Sequence, residues 1–158
     1  MTEADEKHLR RAIELAGEAV AAGQLPFGSL LVGPAGDVLA EDFNTAVADR
    51  DITAHPELKL ARWAARELEL DIARRTTMYT SCHPCPMCAG TIARSGLGRV
   101  VFALTGDQFG ELTPPEFEPD RVDIAYEGPA LFAEARVPAD EYYADLEASG
   151  VTQISRFA

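Results

Sequence analysis

Four side chains in this sequence are of the types, and at the spacing, that run a metal-assisted hydrolysis. His55 and Glu57 stand two apart in Thr53-Ala54-His55-Pro56-Glu57, and Cys85 and Cys88 stand three apart in Ser81-Cys82-His83-Pro84-Cys85-Pro86-Met87-Cys88. Residues three apart in the first turn of a helix lie on one face, so both thiolates can point at one ion. His55 adds an imidazole. One nitrogen and two sulfurs supply three of the four ligands of a tetrahedral zinc, and the open fourth position separates a catalytic site from a structural one. A closed site would need a further protein ligand. Among His and Cys only Cys82, His83 and His8 remain, and Cys82 or His83 would strain the turn to reach the same ion. Glu57 reaches that place without being a ligand, as a group that moves protons. The plainer reading of Glu57 is an acid in the first helical turn facing the dipole.

The order H-x-E followed by P-C-x-x-C is the signature of zinc deaminases that act on nucleobases. On these residues the chain resembles the cytidine/deoxycytidylate deaminase superfamily, in particular its small bacterial branch of guanine deaminases, cytosine deaminases and tRNA adenosine deaminases. The resemblance covers residues 9–104 well and 105–158 poorly. It implies Zn2+ on His55, Cys85 and Cys88, with Glu57 shuttling protons while a ring carbon exchanges its exocyclic amine for a carbonyl. It also implies substrate contacts from the carboxamide of Asn44, the ring of Phe27 and the main chain of Ala54. In the guanine deaminase branch a C-terminal tail covers the pocket, often the neighbouring subunit's, and this points to Phe157 and Asp107. Asn44 also reads as an ordinary strand-ending residue, and Phe27 as core. His83 departs from the pattern, since relatives usually carry Glu or Ser before the Pro-Cys. An imidazole there can donate, accept or titrate. Facing the pocket it would change which ring edge is read; otherwise it is a surface turn residue.

The elements that must position these groups follow from periodicity. Leu9, Ala12, Ile13, Ala16, Ala19 and Val20 recur at three- and four-residue spacing, which predicts an amphipathic helix over 5–22, stopped at Gly23. Phe27–Val32 and Val38–Phe43 flank the turn Gly33-Pro34-Ala35-Gly36-Asp37 and read as a β-hairpin. Thr45–Asp51 reads as a polar loop. A helix opens near His55 with Thr53 as its cap and Leu58, Ala61, Ala65 and Leu68 as its buried face. Thr77–Ser81 and Arg99–Leu104 read as strands around the short cysteine helix, and this alternation predicts parallel pairing. Thr105–Asp120 reads as a loop, Val122–Tyr126 as a fifth strand and Ala139–Ser149 as a helix. The resemblance implies a three-layer α/β/α domain with a mixed five-stranded sheet and both metal-bearing helices on one side.

The length of 158 residues fits one domain with a real core, and 1–158 is read as a single deaminase domain whose part 105–158 covers the pocket. Met1–Arg11 is polar, with no apolar stretch of signal-peptide type, and no segment is apolar enough to span a bilayer. Three cysteines, two of them given to the metal, are a reduced, cytoplasmic pattern. The net charge is −12, and residues 107–150 hold 12 acids against two bases, Arg121 and Arg136. Nucleic-acid affinity comes mainly from Lys and Arg on phosphates, so this balance argues against tRNA. A basic patch at Arg74, Arg75, Arg94 and Arg99 is the feature that would restore it. The sequence thus points to a zinc hydrolase for a free nucleobase-like ring, guanine-type, cytosine or triazine, and the resemblance implies a homodimer. The rival readings are a tRNA adenosine deaminase, a pyrimidine nucleoside deaminase and a non-catalytic binding protein with structural zinc.

Overall fold

The N-terminal helix begins with a reciprocal cap: the Thr2 hydroxyl accepts from the Asp5 N–H, and the Asp5 carboxylate accepts from the Thr2 N–H. This helix, α1 (Glu3–Ala21), buries Leu9, Ala12, Leu15, Ala16 and Ala19. Ile13 and Val20, expected on that face, are 52% and 57% exposed, and Leu15 takes their place. The reason lies in the partner. A Cβ on Gly28 would collide with Leu15 Cβ, Ala12 O and Ala16 N, so α1 lies directly on strand backbone along its alanine-lined face. The computed structural model describes residues 1–114, 116 and 122–150, in two compact units, Met1–Pro114 and Pro115–Ala158.

In the first unit β1 (Gly28–Val32) and β2 (Val38–Phe43) form the expected antiparallel hairpin, with a register irregularity at Leu31/Val32. A short helix, α2 (Ala46–Asp49), interrupts the stretch read as loop. Next come α3 (Pro56–Glu67), the single turn α4 (Leu70–Ala73), β3 (Thr77–Cys82), α5 (Pro86–Ser95) and β4 (Arg99–Leu104). The sheet order is β2-β1-β3-β4, with β1/β3 antiparallel and β3/β4 parallel as expected. Strand alternation sends Leu30, Val32 and Tyr79 to α1, where they meet Leu9, Ala12 and Leu15. It sends Leu31 and Met78 the other way, onto Leu60, Ala61 and Ala64 of α3 and Ile92 of α5. Both metal-bearing helices therefore share one face, and the three layers expected from the resemblance are present. On α3, Ala65 and Leu68 are only half-buried and Leu60 and Ala64 replace them.

The segment read as a loop after β4 contains α6 (Gly106–Leu112), started by a second reciprocal cap between Thr105 and Gln108. The second unit holds α7 (Phe132–Ala135) and α8 (Val137–Ala148), the latter close to its expected span. Val122–Tyr126 is not a strand, so the described residues form a mixed sheet of four strands and not five. Val122, Ile124 and Tyr126 are 84%, 66% and 90% exposed, and a segment with no buried face has nothing to fix its register. Among the described residues no helix is long and apolar enough to cross a membrane.

Candidate metal centre

The same local construction is used twice. His55 is the residue immediately before α3 and Pro56 the first inside it; Cys85 is the residue before α5 and Pro86 the first inside it. Proline suits that position because its missing N–H would have no partner in the helix and its φ is already helical. Each ligand thus sits at the positive end of a helix, which favours bound anionic groups. Thr53 is not the cap expected of it. Its N–H and hydroxyl both donate to Asp51 Oδ1, at 2.8 and 2.7 Å, closing the loop one step earlier.

His55 Nδ1 lies 3.8 Å from Cys85 Sγ and 3.6 Å from Cys88 Sγ, and the three ligand atoms all fall within 4.8 Å of one another. Zn–N and Zn–S bonds of roughly 2.0 and 2.3 Å at a tetrahedral angle require N···S separations of about 3.6 Å. The residues fit the ion. Their chemistry agrees: burial pushes the His55 imidazole down, towards the neutral form that ligates. Burial, then the nearby Glu57 and Cys85, push the Cys88 thiol up. Two thiols beside a carboxylate need a cation before they can all be ionised.

Glu57 is 4% exposed. Burial raises its pKa, opposed first by its own main-chain N–H and then by the hydroxyl of Thr80 and the thiol of Cys88. Cys88 Sγ is 3.9 Å from Oε2. Thr80 is in turn held by Ser29, whose hydroxyl donates to Thr80 Oγ1 at 2.9 Å, with both residues fully buried. No reading of the sequence singled out this pair, because Thr and Ser in a strand look like any other strand residues.

Asn44 is fully buried. Its N–H donates to Phe27 O at 2.9 Å and its Oδ1 accepts from Ala46 N at 3.0 Å. Its Nδ2 has no partner among the described residues. A buried amide with two unused donors costs stability unless something else accepts from it. Ala54, also buried, accepts from Thr45 N at 3.1 Å, which ties the residue after Asn44 to the residue before His55. Phe27 is half-buried with its ring 4.9 Å from that of Phe109 on α6. Phe109 was missed because α6 was; the spacing Thr105 to Gln108 is the capping signal that would have found it.

His83 is exposed, its N–H donates to Leu104 O at 2.8 Å and its ring stands edge-on to Phe102 at 4.8 Å. Asp107 is exposed in the first turn of α6. Phe157 lies outside the described residues. The structure thus brings His55, Cys85 and Cys88 together with Glu57 beside Cys88, bonds Asn44 to Phe27 through the main chain, and joins Ala54 to Thr45, the next residue.

Comparison with known proteins agrees with this geometry. Residues 2–104 match the family described as the cytidine and deoxycytidylate deaminase zinc-binding region. The chain is 36% identical over 111 residues to a tRNA-specific adenosine deaminase of Haemophilus influenzae, covering 70% of this chain and 64% of that protein. It is 42% identical over 88 residues to a guanine deaminase of Bacillus subtilis, covering 55% and 56%. The matched part thus spans less than two thirds of either relative. A solved structure of guanine deaminase from Bacillus subtilis superposes with a TM-score of 0.72 at 30% identity, covering 91% of this chain and 95% of that one. With three zinc-fitting ligands, a buried carboxylate beside them and this match across most of the first unit, the chain belongs to the cytidine and deoxycytidylate deaminase family of zinc-binding proteins.

Proposed function

We propose that the chain is a hydrolytic deaminase that removes an exocyclic amine from a free nucleobase-like heterocycle, guanine-type first, and releases ammonia. The observation that carries the reading is the buried Glu57 carboxyl, with no cationic partner among the described residues, beside a cluster of three zinc-type ligands. Bound zinc supplies a Lewis acid that makes water nucleophilic at neutral pH. The rest is done by this chain. Glu57, with its pKa raised by burial, accepts a proton from the attacking water and passes it to the neighbouring ring nitrogen; it then takes the proton of the hydroxyl now on the ring carbon and delivers it to the departing amine, leaving a carbonyl and ammonia. Asn44 donates its free amide hydrogens to an acceptor on the ring. Phe27 covers one ring face, and Ala54 meets the amine through its main chain.

Asp107, His83 and Phe157 are assigned to substrate contacts in the same reading, with 105–158 as part of the same domain covering the pocket. Charge supports a small substrate. Of the arginines that would make a nucleic-acid patch, Arg99 is held by Asp5 at 2.7 Å and Arg75 lies 3.7 Å from Asp71. Three free thiols suit the cytoplasm, and a homodimer belongs to the reading by family habit alone. The second reading, a tRNA adenosine deaminase, is favoured by the Haemophilus match.

The test is ammonia release from guanine, adenine, cytosine, triazine bases, their nucleosides and a tRNA anticodon stem. Turnover of a free base supports the proposal. Turnover of the tRNA alone replaces it with the second reading, and turnover of none leaves a zinc-binding protein without this catalysis.

A further inference from the structure

Twelve of the fourteen basic residues in this chain are arginine, and one of the two lysines, Lys59, stands on α3 two residues after Glu57. Its ammonium donates three hydrogen bonds: to Asp42 Oδ1 at 2.8 Å, to Phe43 O at 2.9 Å and to Thr45 Oγ1 at 3.2 Å. An ammonium has three donors, and all three are used here on residues that bracket Asn44. Thr45 can accept this bond because its hydroxyl hydrogen goes to Asp49 Oδ2 at 2.6 Å. The main-chain N–H of Lys59 donates to His55 O at 3.0 Å, so the base of the side chain is fixed to the metal ligand itself. The Lys59 side chain is 25% exposed and that of Asp42 35%, which places the ion pair partly out of water, where screening is weaker. Three acceptors converging on one point suit a compact ammonium and not the planar fork of arginine.

We propose that Lys59 is a positioning residue that sets where the Asn44 carboxamide stands relative to His55 and Glu57. The inference rests on the reading above that Asn44 holds the ring. The hairpin end and the metal helix belong to different elements, and among the described residues two hydrogen-bonded ties join the segment around Asn44 to the metal helix and its approach: Thr45 N–H to Ala54 O, and the three-way grip of Lys59. An error of about 1 Å in the placement of a substrate-holding group costs roughly a hundredfold in rate. The grip also explains how a fully buried Asn44 keeps its Nδ2 hydrogens uncommitted: the main chain on both sides is held, so the side chain need not turn to find a partner.

The experiment uses the zinc-loaded full chain with guanine as probe. Lys59→Met, which keeps the stem and removes the charge, is expected to lower kcat/KM by about 10- to 100-fold, more through KM than kcat, with zinc per chain unchanged. Added to Asn44→Ala it should cost nothing further, because it acts through Asn44. Amide hydrogen exchange at Asn44, Thr45 and Ala46 should quicken while α3 stays protected. Independent, multiplying losses in the double variant, or unchanged exchange at 44–46, would overturn the proposal. If Lys59→Met loses zinc or fails to fold, Asp42→Asn carries the same expectations at smaller size and the same overturning results. If the wild-type chain turns over no heterocycle, the proposed function fails, and the exchange result alone decides whether the tie exists.

Discussion

Asp5 and Glu57 are buried almost equally, 3% and 4% exposed, on opposite faces of one sheet, and they are treated in opposite ways. Asp5 is closed off. It accepts from Arg99 at 2.7 and 2.9 Å, from the Tyr79 hydroxyl at 2.8 Å and from the Thr2 N–H at 2.8 Å. Arg99 first of all, then the Thr2 N–H and the Tyr79 hydroxyl, hold its carboxyl well below the usual range. Glu57 has only neutral partners, its own main-chain N–H, the Thr80 hydroxyl and the Cys88 thiol, and burial pushes it up. A buried carboxylate with its lone pairs filled is a fastener between α1 and the sheet. One with lone pairs unfilled is destabilising where it stands, and its proton affinity is free to be used.

The most severe way to break the comparison is Glu57→Gln. The amide fills the same space and cannot carry a proton between water and amine, so kcat should fall by about 10³-fold or more. Zinc content should stay unchanged, and the midpoint of thermal unfolding should hold or rise, because a poorly satisfied buried acid has gone. A large drop in melting temperature would make Glu57 a fastener like Asp5. Asn44→Ala comes next, with kcat/KM down by about 100-fold if the ring is held there, again with zinc retained. Asp5→Asn should do the reverse: kcat preserved, melting temperature lowered. A carboxyl held below its ordinary 3.8 contributes stability at every pH above that value and loses it as pH falls through 3.8 towards the folded value. The melting difference between wild type and Asp5→Asn should therefore be full at neutral pH and shrink below pH 3.8. A difference that is flat down to pH 2 would sink the assignment.

The open half of this comparison was legible in the sequence and the closed half was not. His55, Glu57, Cys85 and Cys88 announce themselves because metal ligation restricts both residue type and spacing, and two of the helix starts are marked by proline. Asp5 and Arg99 lie 94 residues apart, and no local pattern pairs them. Periodicity found α1 but not its rotation: Ile13 and Val20 score as apolar, yet the close approach of Gly28 selects the side carrying Leu15 and the alanines. The helix α6 was hidden by Gly106 and Gly110, which lower helix propensity, although Thr105 and Gln108 spelled its start. Val122–Tyr126 misled for the opposite reason, since β-prone residues make a strand only where an edge and a buried face receive them. Lys59 was invisible as anything but a solvated charge.

The finest test concerns the side chain that keeps Glu57 from being wholly open. Thr80 stands between Ser29 and Glu57: it accepts from the Ser29 hydroxyl at 2.9 Å, which leaves its own hydrogen for the carboxylate. Thr80→Val keeps the shape and removes both roles. The Ser29 hydroxyl would then lose its acceptor inside a dry strand pair, costing about 1–3 kcal/mol of stability. The Glu57 carboxylate would lose one of its neutral hydrogen-bond partners, and kcat should drop by about tenfold with KM nearly unchanged if Thr80 acts only through Glu57. Thr80→Ser retains the hydroxyl and should recover most of kcat, while giving up some packing around the lost methyl. If the valine variant keeps kcat while the serine variant loses it, the methyl and not the hydroxyl is what matters. Thr80 would then act through packing on the α3 side of the sheet, and its hydroxyl would not order Glu57.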